Sequence, residues 1–302
     1  MKVLLSLIAA VVVVALVAVL LQEWRYLRIR RDLAGDQQSL FHSSSVFHVV
    51  SLLKLAPGQE LLDGVRDYVN SVEKDGAQVV YAGKTVINGR TSSQLPPDDW
   101  EAFIVTQYPS REAWDKASTS AEYRDLKARF ANVYSLGMQR NAALNLALPA
   151  FLLGQRVSDF VRRTPPRYPF ETSPFLSLAP PEARAQLKVF DDAIQANLEY
   201  GRKGMVIVNF AKGGTSEQRK ANDGYGNEMF NLFAEVGAGP THVGKAVTLE
   251  GDADFDQVII VYYPGVEFFG EMIRSTFYTG IFGGKQLGDD LSSLTVPILP
   301  HL

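Results

Sequence analysis

The two halves of this chain repeat one another. Aligned without gaps at a spacing of 155 residues, DWEAFIVTQYPSREAW from Asp99 pairs with DFDQVIIVYYPGVEFF from Asp254. Over residues 99–123, seven of 25 positions are identical: Asp99/Asp254, Ile104/Ile259, Tyr108/Tyr263, Pro109/Pro264, Glu112/Glu267, Ser120/Ser275 and Tyr123/Tyr278. Trp100/Phe255 and Trp114/Phe269 keep aromatic character, and Gly83-Lys84 answers Gly244-Lys245 at a spacing of 161, a shift that a loop deletion produces. Such a chain is expected to fold as two copies of one unit of about 100 residues, and 302 residues leave room for both.

Each copy reads strand, helix, strand, strand, helix, strand. FHVVSLLKL from Phe47 and MVIVNFA from Met205 are apolar runs of strand length that open the copies. Leu61, Leu62, Val65, Tyr68, Val69 and Val72 recur at helical spacing in the first copy, as do Tyr225, Met229, Leu232, Phe233 and Val236 in the second. Ser110 after Pro109, Ser120 and Ser275 have the character of helix N-caps, with Tyr123 and Tyr278 as helix anchors. The third strands, FIVT from Phe103 and VIIVY from Val258, are apolar on both faces. Helices cover one side of such a sheet, so the other side needs a second sheet, supplied within the chain or across a dimer.

The stretch EKDGAQVVYAGKT followed by WEAFIVTQYPSREAWDKASTSAEYRDLKARF resembles the DUF1330 family of the dimeric α/β-barrel superfamily. The signature phrases are Tyr108-Pro109-Ser110-Arg111-Glu112-Ala113 and Ser120-Ala121-Glu122-Tyr123. The resemblance is close over residues 46–143 and weaker over 204–297, where Phe277 replaces Glu122 and the chain runs into GIFGGKQ where copy 1 continues its helix. It implies an α+β fold of two ferredoxin-like (dimeric α/β-barrel) domains in tandem, and sheet-to-sheet pairing, but no particular reaction.

Before the repeat stands VLLSLIAAVVVVALVAVLL, residues 3–21, with Ser6 its one polar position. At 1.5 Å per residue it spans ~28 Å, close to the hydrocarbon thickness of a bilayer, and it exceeds the apolar core usual for a cleaved signal peptide. It is expected to be a single transmembrane helix. Lys2 stands on one side against Arg25, Arg28, Arg30 and Arg31 on the other, which predicts a single-pass inner-membrane protein with cytoplasmic domains, a periplasmic placement being the alternative. The expected layout is an anchor over 1–22, a basic juxtamembrane segment and flexible tether over 23–45, copy 1 over 46–143, a connector over 144–203 and copy 2 over 204–302. The tether carries Gly35 and Ser43-Ser44-Ser45. In the connector, LNLALPAFLLGQRVSDFVRR is interrupted by Pro149 and Gly154, a proline-rich strap follows, and a helix runs from about Glu182 to Tyr200. The apolar part either packs on a domain or lies on the membrane, with Arg156, Arg162, Arg163 and Arg167 joining the juxtamembrane arginines on anionic headgroups.

A net charge of −3 excludes the basic excess of a nucleic-acid binder, and the absence of cysteine excludes disulfides and thiolate chemistry. The four histidines have no ligand spacing, and no cofactor fingerprint is readable, so neither a metal nor a cofactor is expected. KGGTS at Lys212 is at best a weak anion nest. The candidate residues for an inter-sheet cavity are His48, Lys84, Tyr108, His242, Lys245 and Tyr263, with the histidines as general bases; each also has an ordinary structural reading. With no convergent set of titratable groups, the expected function is a membrane-tethered, noncatalytic binding or assembly module, an accessory subunit whose partners are the bilayer and a membrane protein or a second copy. The alternative is a cofactor-independent enzyme acting on a small apolar or aromatic molecule, as in the small monooxygenases and muconolactone isomerase of the same superfamily.

Overall fold

The first strand, β1 (Phe47–Lys54), is buried along almost its whole length, as a strand covered on both faces must be. It belongs to a computed structural model that describes residues 2–30, 47–96, 99–140, 142–178 and 180–302. A long helix, α1 (Lys2–Arg30), precedes it, and the tether and Arg31 lie outside the described residues. There follow α2 (Leu61–Lys74), β2 (Gln78–Arg90), β3 (Ala102–Tyr108), α3 (Arg111–Ser118), α4 (Ala121–Lys127) and β4 (Asn132–Arg140). The connector contains α5 (Ala142–Arg162), a 3-10 turn at Pro174–Leu178, α6 (Pro181–Ala196) and α7 (Leu198–Gly201). The second half comprises β5 (Met205–Lys212), α8 (Ser216–Val236), β6 (Gly239–Thr248), β7 (Gln257–Tyr263), α9 (Val266–Ile273), α10 (Thr276–Ile281) and β8 (Asp289–Pro297).

All eight strands close into one antiparallel barrel, in the order β1-β3-β2-β8-β5-β7-β6-β4. Each half supplies a four-stranded arc, β4-β1-β3-β2 and β8-β5-β7-β6, and the arcs join at two seams, β2 with β8 and β4 with β6. The partner sheet that the apolar third strands require therefore comes from the same chain. At the second seam Leu136–Arg140 pairs with Gly244–Thr248, and the backbones approach closely. A Cβ at Gly244 would lie 2.5 Å from the Gln139 carbonyl oxygen, so a side chain there would force the strands apart.

Pleating sends alternate residues to opposite faces. Val50 and Leu52 of β1 enter the lumen with Phe103, Phe210, Trp100 and Phe255. Val49 and Leu53 point outward, beneath α2, α3 and α4, where they meet Val65, Tyr68, Trp114 and Leu126. A second outer layer lies under α5, α8 and α9, built on Leu152, Leu232, Phe269, Met272 and Leu294. Ser120 and Ser275 cap α4 and α10 in the same way, each hydroxyl accepting from the backbone N–H three residues on, at 3.0 Å. At KGGTS the Gly213 N–H already donates to the Asp256 carboxylate at 2.6 Å, and Thr215 forms a capping box with Gln218, so the segment starts a helix and is not an anion nest.

In α1, one helix from Leu4 to Arg25 is long and apolar enough to cross a membrane, and none of its most apolar window is buried. Its base is built into the body. Gln22 and Glu23 are buried, and Arg25 donates to the carbonyls of Ala234 (3.3 Å) and Glu235 (3.0 Å), which the last turn of α8 leaves without helical partners. Arg156 of α5 donates to the Gln22 side chain at 3.5 Å.

The connector departs from expectation at several points. Pro149 and Gly154 do not break α5, because Leu148 and Leu152 are buried against the second outer layer and Phe151 stacks edge-on to Phe230. That packing outweighs a helix penalty of about 3 kcal/mol for proline. Arg167 is not on a membrane surface: its guanidinium bridges Asp159 at 2.8 Å and Glu235 at 3.7 Å with its side chain 12% exposed. The helix expected over 182–200 is two, α6 and α7, parted at Asn197.

Candidate functional site

The lumen has two unlike ends. Towards one, Leu52, Trp100, Phe103, Phe210, Phe255 and Leu291 fill the space between strands, as an eight-stranded barrel permits. Towards the other, strand alternation brings polar residues inward. His48 is in phase with Val50 and Leu52, Gln107 with Phe103 and Val105, Arg140 with Leu136 and Met138, and His242 with Ala246. Tyr262 of β7 continues Val258 and Ile260, Thr295 of β8 continues Leu291, and Tyr81 joins them from β2.

The His48 and His242 rings lie edge to face with centroids 5.1 Å apart, and both residues are buried. His242 Nδ1 lies 3.3 Å from the Thr241 hydroxyl, which donates to the Ile260 carbonyl at 3.2 Å. Arg140, 3% exposed, donates to the Thr241 carbonyl at 3.2 Å. The Tyr81 and Thr295 hydroxyls are 2.7 Å apart, Thr295 donates to the Val206 carbonyl at 2.9 Å, and Tyr262 donates to the Lys203 carbonyl at 3.4 Å. The layer thus gathers two imidazoles, a guanidinium, two phenols and a carboxamide, groups able to orient a polar molecule and to hold or pass a proton. Among the described residues no three His, Asp or Glu side chains converge as metal ligands.

Of the six cavity candidates, only His48 and His242 meet in the lumen. Tyr108 points outward and packs edge-on against Trp114 at 5.3 Å. Tyr263 also points outward, between Phe233 and Phe269. Lys84, on the outer face, sets its ammonium 5.7 Å from the Tyr200 ring centre, and Lys245 is exposed on the outer face. These four are not cavity residues: a one-residue step along a strand changes the face. The residues that sequence reasoning missed, chiefly Arg140, Gln107 and Tyr262, carried one usable signal, a polar residue continuing the period-two series of lumen residues.

A second polar cluster lies outside the lumen, under α2 and α4. Tyr68 donates to the Ser51 hydroxyl at 2.8 Å, Ser51 and Ser135 hydroxyls are 3.1 Å apart, and the Tyr123 hydroxyl is 3.2 Å from that of Ser135. Burial pushes the Tyr68 phenol up to about 12 and raises that of Tyr123 too, so both stay protonated within a structural hydrogen-bond cluster. Beside them a groove of about 320 Å³ is lined by Trp114, Tyr123, Arg124, Lys127, Leu249 and Glu250, with Lys127 and Glu250 paired at 3.0 Å.

Fold and layer define an α+β protein with an eight-stranded antiparallel barrel and one N-terminal apolar helix. The chain matches no family model and no curated protein. Among solved structures it is similar to an anthrone oxidase-like protein, with 11% identity, a TM-score of 0.45 and coverage of 86% of this chain and 93% of that one. A mutant chlorite dismutase from Candidatus Nitrospira defluvii aligns with 12% identity, a TM-score of 0.42 and coverage of 88% and 97%. RPA0582, a protein of unknown function from Rhodopseudomonas palustris, has 21% identity and a TM-score of 0.30, covering 39% of this chain and 94% of its own. Likeness at this level bears on neither substrate nor chemistry.

Proposed function

We propose that this chain is a membrane-tethered, noncatalytic binding and assembly module: two diverged ferredoxin-like units of the DUF1330 type, over 46–143 and 204–302, fused into one barrel and held at the inner membrane as an accessory subunit. One observation carries the reading. The apolar helix is not merely appended to the barrel, since Gln22 and Glu23 are buried at its base and Arg25 occupies the end of α8. A leader destined for removal has no reason to be packed into the fold in this way. The cytoplasmic placement rests on the arginines that follow the apolar run.

The test is purification of the full chain from its own membranes in mild detergent, with sequencing of its N-terminus. The expected result is an intact N-terminus within a stoichiometric assembly larger than the 33.3 kDa chain. A mature N-terminus beyond Gln22, or a lone monomer, overturns the reading.

The polar layer favours a second reading, an enzyme acting on a small apolar or aromatic molecule admitted at that end of the lumen. His48 and His242 would then move a proton while Arg140 and Tyr262 orient the molecule. Mass spectrometry of small molecules retained by the purified chain tests it: a bound compound released by His48→Leu with His242→Leu supports this reading, and its absence from both forms removes it.

A further inference from the structure

We propose that the last turn of α5 is a second membrane contact, in which Val157, Phe160 and Val161 enter the headgroup region of a bilayer and Arg162 and Arg163 pair with the phosphates of anionic phospholipid. The inference rests on the reading of α1 as a bilayer anchor. Phe160 is 85% exposed, Val161 72% and Val157 53%, a concentration of apolar surface that water disfavours. Its place in the fold ties it to the base of α1. Arg156 touches Gln22, the first polar residue after the apolar run. Phe160 lies four residues beyond Arg156 on the same helix face, about 6 Å along the axis. The headgroup layer is roughly 5 to 7 Å thick on each side of a bilayer, so a displacement of at most that size from Gln22 keeps the turn within reach of it.

The charges divide in the same sense. Arg25, Arg156 and Arg167 are taken up by α8, Gln22, Asp159 and Glu235, whereas Arg162 and Arg163 are exposed directly beside the apolar pair. Asp159, the acidic residue of this turn, is already bound by Arg167. Arg163, with φ of 55°, ends the helix and turns the chain away. An apolar patch bordered by two exposed arginines, one helical turn from the base of a lipid-spanning segment, has the composition of an interfacial anchor, and an anionic lipid surface is the occupant that satisfies both parts.

The chain has no cysteine, so one introduced cysteine accepts a single spin label. The full-length protein would be reconstituted into vesicles of phosphatidylcholine and phosphatidylglycerol with labels at Phe160→Cys, at Val12→Cys within α1 and at Val189→Cys on α6, which is 68% exposed. Collision rates with oxygen and with a water-soluble nickel chelate report depth. The label at 160 is expected to favour oxygen several-fold more than the label at 189 and less than the label at 12. That preference is expected to fall when phosphatidylglycerol is omitted, or when Arg162→Glu and Arg163→Glu are added. Equal accessibility at 160 and 189 overturns the proposal, and shielding of 160 from both reagents replaces lipid with a protein contact and overturns it too. A label at 12 open to the nickel chelate instead refutes the anchor, and with it both readings.

Discussion

The apolar and polar ends of the lumen are built on the same eight strands, yet the two halves of the chain agree at one end and disagree at the other. Trp100 and Phe255 occupy equivalent positions, as do Leu52 and Phe210, and all four are apolar and buried. At the polar end His48 corresponds to Val206, Tyr81 to His242 and Gln107 to Tyr262. Agreement marks the positions that every such arc needs filled to keep water from its sheet. Disagreement falls where polar groups enter the lumen, because a buried polar group must find its own partners and cannot be exchanged as freely as one apolar side chain for another.

The largest effect that would sharpen this contrast is expected at the apolar end. Trp100→Ala should lower stability by about 3 to 5 kcal/mol, the transfer loss plus the cavity, in chemical denaturation of the detergent-solubilised chain; a loss below about 1 kcal/mol would mean that this end is not the packed core. Next comes Gly244→Ala at the seam that carries Arg140. A Cβ there meets the Gln139 carbonyl, and overpacking of about 1 to 3 kcal/mol is expected, with His48 and His242 resonances displaced in NMR spectra. Unchanged imidazole signals would separate the seam from the polar layer.

Tyr262→Phe, at the polar end, removes one donor from the Lys203 carbonyl and should lower stability by only about 0.5 to 1.5 kcal/mol in the same assay. A loss matching that of Trp100→Ala would erase the contrast. The smallest effect concerns Asp289, whose carboxylate accepts from Ser92, Ser93 and Gln94, the turn that carries Leu95 to the apolar end. Burial raises its pKa, but the three hydrogen bonds and a backbone donor outweigh burial and hold it below the ordinary carboxylate value. A lowered folded-state pKa means stability that is present above the unfolded value of about 4 and is lost as pH falls through the folded value. Asp289→Asn should therefore flatten the acid limb of the stability profile below about pH 4 and leave the slope near neutrality unchanged; an unaltered acid limb would show that the carboxylate contributes nothing.

Much of the architecture was legible because it depends on local patterns. The helical spacing of Val65, Tyr68, Val69 and Val72 marks the buried face of α2, and the hydroxyls of Ser120 and Ser275 cap helices where the spacing to Tyr123 and Tyr278 suggested. The apolar character of both faces of β3 and β7 announced a second covering layer. The continuity of α5 through Pro149 was not legible, since it depends on what Leu148 and Leu152 pack against. Nor was the role of Arg25, whose acceptors lie more than two hundred residues away. Tyr108 and Tyr263, expected in an inter-sheet cavity, both serve the helix layer.

By itself the sequence determined the order of the strands and helices, the helix caps and an apolar helix of membrane length, because each follows from spacing within a few neighbouring residues. Only the tertiary structure decided which face of each strand enters the lumen and which arginines are consumed inside the fold. A strand buried on both sides offers two equally apolar faces, and nothing along the chain tells them apart until the barrel closes.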